Sequence, residues 1–165
     1  MKLTLAVAVL ALTAAGCSGD SSPQQRAWIG LQMRADTPAA ACFFHLPVAR
    51  GLLIARVLPH SGAARAGLKA PTKPTIVVGD PWPIGGDIIV AADGRPVATG
   101  EQLAKVVAPK KRGDPVRLTI YRGRTRKTVE VELGPAPTGN VTSVDHGVMV
   151  GAAARSAREM HARGC

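Results

Sequence analysis

Aromatic residues are scarce in this chain. Two Phe, two Trp and one Tyr make up 3% of 165 residues, so a core has to be assembled from Val, Ile, Leu and Ala. Cysteine is scarcer: Cys17, Cys42 and Cys165 contain no CxxC pair, which leaves zinc-ribbon and thioredoxin-type chemistry without a motif. The four histidines show no HExxH spacing, and no serine sits in a G-x-S-x-G or G-N-S-G-G stretch. His60 and Ser61 are adjacent in the chain, which suits the loop before a short helix and not a base facing a nucleophile. Asp145 and His146 lie in the tail without a serine motif, so neither hydrolysis nor a metal or other cofactor is expected. No apolar run reaches the roughly 18 residues that a helix needs to cross a bilayer.

Acidic side chains are also few. Lys and Arg outnumber Asp and Glu by 21 to 11, for a net charge of +10. The bases are spread through Arg50, Arg56, Arg65, the Lys110–Arg112 cluster and the Arg122–Lys127 turn, without interleaved aromatics, so nucleic acid is not an expected partner. Such a surface is a solvated one that could favour anionic lipid head groups, acidic wall polymers or acidic peptides.

Glycine and proline are abundant, at 18 and 13 residues, and favour turns and strands over a helical bundle. The length suits one domain with short appendages. The first segment, MKLTLAVAVLALTAAGC, has a positive Lys2, a short apolar run and small residues before Cys17, and it resembles a bacterial lipoprotein signal. That resemblance implies removal of residues 1–16 and lipidation (palmitate included) of Cys17. Simple secretory cleavage is the alternative, because Ala14 stands where leucine is preferred. Ser18 in place of aspartate points to the outer membrane, facing the periplasm. Residues 17–25 would then form a tether. An oxidising envelope would allow, without requiring, a disulfide between Cys42 and Cys165.

Along the rest of the chain, WIGLQM reads as a strand and the following RADTPAAACFFHLPVAR as a loop. GLLIARVLP has the pattern of a buried strand. Ser61 can cap a short helix over 62–65 that Gly67 ends. Residues 69–83, with four prolines, read as an irregular insertion in which Trp82 either closes over a ligand or packs on the body, packing being the favoured outcome. A strand over 88–91, with Asp87 fixing a turn before it, leads to a tight turn at Asp93-Gly94. Thr99 and Gln102 form a capping box for a helix over 100–108. PVRLTIY and RKTVEVEL alternate as an antiparallel hairpin. The tail beyond Pro135-Ala136-Pro137 contains a plausible helix over 151–161.

Gly30, between Ile29 and Leu31 in an apparent strand, implies that another backbone comes close there. The expected fold is mainly β with two short helices (α+β), a partly open barrel or sandwich capped by helices. ARGLLIARVLPHSGAARAGL, GGDIIVAADGRPVATGEQL, GDPVRLTIYRG and TVEVEL resemble the PDZ domain of bacterial HtrA (Deg) proteases, over residues 26–134. The resemblance implies that RAWIGL corresponds to a carboxylate-binding loop of Arg26, Trp28, Ile29, Gly30 and Leu31, with Ala27 replacing a usual glycine. A terminal carboxylate needs several backbone N–H donors aimed at one spot, which a curled glycine segment supplies. The peptide would add antiparallel to Leu31, Gln32 and Met33, its last side chain entering a pocket walled by Ile29, Leu31, Leu103 and Val107. Together with the signal segment and the missing catalytic motifs, it points to a non-catalytic envelope lipoprotein that binds protein C-termini or extended segments, as an adaptor or regulator of an envelope protease. A structural lipoprotein with a self-occupied groove and a remnant of an HtrA-like protease are the alternatives.

Overall fold

The computed structural model describes residues 27–77 and 79–135. The expected signal segment, Cys17, the tether, Arg26, Cys165 and the 151–161 helix lie outside the described residues. Among the described residues, ten strands and three short helices follow in the order β1 (Ala27–Trp28), β2 (Leu31–Ala35), α1 (Pro38–Phe43), β3 (Leu52–Val57), α2 (Gly62–Arg65), β4 (Thr75–Val77), β5 (Asp80–Trp82), β6 (Asp87–Ala92), β7 (Arg95–Pro96), α3 (Gly100–Val107), β8 (Pro115–Arg122), β9 (Thr125–Glu132) and β10 (Gly134–Pro135). The main sheet runs β2-β3-β6-β8-β9, all antiparallel, with β7 on the end of β6. It does not close on itself, so β2 and β9 are its edges. β1 pairs with β10, and β4 with β5, as separate two-stranded ribbons.

Most elements follow from local chemistry. Thr99 Oγ1 accepts the Gln102 N–H at 3.2 Å while Gln102 returns its side-chain oxygen to the Thr99 N–H, so the expected capping box starts α3. Ser61 Oγ accepts the Ala64 N–H at 3.1 Å and starts α2. Asp93 and Gly94 both have positive φ, 47° and 76°, as a tight turn with right-handed strand twist requires. Asp87, in GGDII, fixes more than a turn: it is fully buried, takes the Lys69 N–H at 2.8 Å and binds the Arg122 guanidinium through two bonds of 2.8 and 2.7 Å. That pair ties β6 to β8 and to the segment after α2.

Three expectations need correction. A third helix, α1, occupies part of the stretch read as a loop: Thr37 caps it by accepting the Ala40 N–H at 3.1 Å, and Pro38 fills its first turn, where a missing N–H costs nothing. The stretch around Gly30 is two strands with a break at Ile29-Gly30, because Gly30 has a φ of +84° that no strand residue adopts. The proline-rich insertion contains the β4–β5 hairpin. Of the two fates open to Trp82, packing prevails, since it is only 2% exposed.

Two apolar clusters lie on opposite faces of the sheet. The first contains Leu52, Ile54, Ile89, Leu118 and Ile120 from the sheet with Leu103, Val106 and Val107 of α3. The second collects Leu53 and Ile88 from the other face under α1 and the hairpin, through Ala40, Val77 and Trp82, with Phe43 and Phe44 packed on it. Burial of a Leu or Ile stabilises by roughly 1.5–3 kcal/mol, so aliphatic layers replace the missing aromatics. Phe43, Phe44 and Trp82 sit together on the second face, with Tyr121 packed there too, and Phe44 lies 5.0 Å from Phe43 and 5.8 Å from Trp82 between ring centroids.

Candidate functional site: an open strand edge beside a helix

β2 is short, lies at the edge of the sheet, and is hydrogen-bonded along one side to β3. α3 packs beside it, through the apolar cluster that Leu31 and Met33 share with Leu103, Val106 and Val107. Leu31 and Met33 are half-buried and pack on the first cluster, while Gln32 and Arg34 point to the opposite face. Leu103 is 2% and Val107 9% exposed, and both belong to that first cluster together with Ile29. The expected pocket residues Ile29, Leu31, Leu103 and Val107 are therefore in one apolar group between β2 and α3. Val106, absent from the sequence expectation, joins them. Its spacing from Leu103, three residues on a helix, was the available signal.

The loop before β2 is held in place by α2. Ala63 donates its N–H to the Ile29 carbonyl at 3.0 Å, and Leu58 donates to the Gly30 carbonyl at 3.0 Å. A Cβ on Gly30 would collide with the Cβ of Ser61 and come within 2.5 Å of its Oγ and 3.3 Å of the Trp28 ring. Ser61, whose Oγ also donates to the Leu58 carbonyl at 2.6 Å, is thus what lies against Gly30. The glycine is required by internal packing and by its φ, whatever else approaches it. With both carbonyls engaged, the N–H groups of Ile29 and Gly30 donate to no other backbone group among the described residues. Two successive uncommitted N–H donors, the second on a left-handed glycine, are what an anion-binding concavity needs.

β2 is braced from behind. The Arg34 guanidinium donates to Asp80 Oδ1 at 2.8 Å and Oδ2 at 2.7 Å, donates to the Pro81 carbonyl at 2.9 Å, and stacks 3.7 Å above the Trp82 ring. This brace, invisible in sequence because Arg34 and Asp80 are 46 residues apart, fastens the insertion to the groove strand. Just past β2, Asp36 is 6% exposed, and its Oδ1 accepts the Thr37 N–H at 2.8 Å while Oδ2 has no hydrogen-bond partner among the described residues. Burial pushes its carboxyl up to about 6, against the pull of the Thr37 N–H.

Elsewhere the polar constellations are structural. A shallow cavity between the Asp93 turn, Lys110 and strands β8 and β9 is lined by Arg117, Thr119, Thr128 and Glu130, with Lys110 paired to Asp93 at 2.8 Å. Burial works against ionised Asp93, yet Lys110 and the Arg117 N–H hold its carboxyl below the usual range. No group of three metal-ligating side chains occurs among the described residues. Cys42 is exposed on α1 and takes part in a disulfide; the expected pairing with Cys165 lies outside the described residues.

A sequence profile described as "PDZ domain" matches residues 27–133. This chain belongs to the PDZ domain family. Among curated relatives, the probable periplasmic serine endoprotease DegP-like of Marinomonas sp. is 32% identical over 68% of this chain. The periplasmic pH-dependent serine endoprotease DegQ of Escherichia coli is 32% identical over 69%. The matched region is 21% of either relative, so the chain spans about a fifth of their length. Among solved structures, the HtrA3 PDZ domain bound to a phage-derived ligand matches with a TM-score of 0.50 at 26% identity, over 68% of this chain and 88% of that one. The HtrA-type protease AlgW with decapeptide, at 23% identity and a TM-score of 0.53 over 70% of this chain and 31% of that one, shares the fold. The PDZ domain of this chain thus matches that of HtrA-type proteins.

Proposed function

We propose that this PDZ domain captures the free C-termini of other cell-envelope proteins by strand addition to β2, and that it does so without catalysis of its own. The observation that carries the reading is the open edge of β2, which runs from two uncommitted N–H donors at Ile29 and Gly30 along a half-buried apolar row beside α3. A peptide laid antiparallel there would place its carboxylate at the donors, its backbone on the β2 ladder, and its last side chain among Ile29, Leu31, Leu103 and Val107. Arg26 would balance the carboxylate charge. In this reading Cys17 carries the lipid anchor, the location is the periplasmic face of the outer membrane, and a separate envelope protease is the partner served. Relatives named as periplasmic endoproteases, and an HtrA3 PDZ domain with a peptide ligand, support it.

The test is a fluorescence-polarisation screen of the full chain against a peptide library with free C-termini, each hit being repeated as its C-terminal amide and with alternate peptide nitrogens methylated. Binding lost on amidation, and lost on methylation with a two-residue period, is expected. Equal binding by acid and amide would sink the reading. A second reading rests on β10, which pairs with β1 beside the loop and from which the following segment departs. In it the groove is taken by the chain's own tail, residues 141–165. Hydrogen exchange of the β2 amides separates the two, since self-occupancy protects them before any peptide is added.

A further inference from the structure

Side chains of a strand added to β2 must alternate between the two faces of the sheet. Leu31 and Met33 share their face with Val57 and Ile54 of β3, whereas Gln32 and Arg34 share theirs with Arg56 and Leu53. A peptide whose last side chain lies beside Leu31 therefore directs its penultimate one toward Gln32, and its fourth from last toward Arg34. Arg56 stands directly across Gln32, two strand spacings or roughly 10 Å from the peptide backbone. An extended arginine and a carboxylate side chain close that distance between them.

The two cations on this face are not equivalent. Arg34 is committed to Asp80 and Trp82, and its side chain is 24% exposed. Arg56 is exposed and has no ion-pair partner among the described residues. It flanks a half-buried, uncharged Gln32. On the groove reading above, we propose that Arg56 is a specificity-determining residue that selects an acidic penultimate side chain. The chain's excess of positive charge adds long-range attraction for any acidic peptide, but only a local cation distinguishes one position from another.

The experiment takes one binding peptide and places Asp, Asn or Lys at each of its last four positions, measured with the full chain, Arg56→Gln and Arg56→Glu. At the penultimate position the unaltered chain should favour Asp over Lys by about fivefold, the reach of an exposed ion pair. Arg56→Gln should abolish the preference and Arg56→Glu reverse it. At the fourth-from-last position the preference should stay below about twofold, because Arg34 is already paired. High salt should flatten the penultimate preference in step with screening. Equal affinity for Asp and Lys at the penultimate position, or a preference that survives Arg56→Gln, overturns the assignment while leaving the groove intact. Failure of every free C-terminus to bind removes the groove and this selectivity together.

Discussion

The two edges of the main sheet solve the same problem in different ways. β9 carries eight residues, six of them either charged or Thr, and exposes Arg126, Lys127, Glu130 and Glu132; its outer end lies against α2, where Arg65 donates to the Glu132 carbonyl at 3.5 Å. Such an edge repels the addition of another strand. β2 carries five residues, has one charged side chain, and turns that charge away from its open side into the Asp80–Trp82 brace. A strand edge becomes a candidate binding surface when its charge is withdrawn and an apolar cleft lies beside it.

The contrast can be broken most severely at Gly30. Gly30→Ala should destabilise by about 3 kcal/mol or more, from the left-handed φ and the collision with Ser61. Adding Ser61→Gly should recover part of that loss in urea denaturation, because it removes the collision and leaves the φ; no recovery would mean that Ser61 is not the contact that matters. For the same reason a Gly30 variant that fails to bind peptide says nothing about a carboxylate.

Arg34→Ala removes the guanidinium that binds both carboxylate oxygens of Asp80, 4% exposed, and uncovers the Trp82 ring. A loss of about 2–4 kcal/mol is expected. Arg117→Ala on the strand next to β9 removes a 3.8 Å pair with Glu130 whose side chains are 68% and 64% exposed, and should change stability by less than about 0.5 kcal/mol. Comparable losses for the two variants in denaturant titrations would erase the distinction between the edges.

Asp36 sharpens the comparison through pH. Its carboxyl titrates at about 6 in the folded chain against 3.8 ordinarily, so the folded state holds the proton more tightly. The associated stability is complete below about pH 4 and is lost as pH rises through about 6. Asp36→Asn keeps the acceptor for the Thr37 N–H and abolishes the ionisation. It should be more stable than the unaltered chain by about 1–3 kcal/mol at pH 7.5, and the gap should vanish near pH 4. A gap independent of pH would show that the carboxyl does not ionise in this range.

Much of the fold was legible in local pattern. The capping box at Thr99 and Gln102, the Ser61 cap, the Asp93-Gly94 turn and the alternation of β8 and β9 are all statements about residues within a few positions of one another, and each formed as its chemistry dictates. The same kind of signal existed for α1 in Thr37-Pro38, an N-cap followed by a first-turn proline, and was masked by the aperiodic Ala and Phe run after it. The GDII and DG motifs and the order of elements carried the family likeness. What failed to read was long-range: that Gly30 is packed by Ser61, 31 residues later, and that Arg34 is held by Asp80, 46 residues later.

The sequence by itself determined the antiparallel, helix-capped architecture and the residue types available to a groove, because caps, turns and alternation act through neighbouring φ, ψ and side chains. Only the tertiary structure decided which edge stays open, which arginine is spent in a brace and which is left free beside the groove. Arg34 and Arg56 are chemically the same residue. Asp80 reaches one of them and no acid among the described residues pairs with the other, because burial and charge pairing depend on distances in space that the order of residues does not contain.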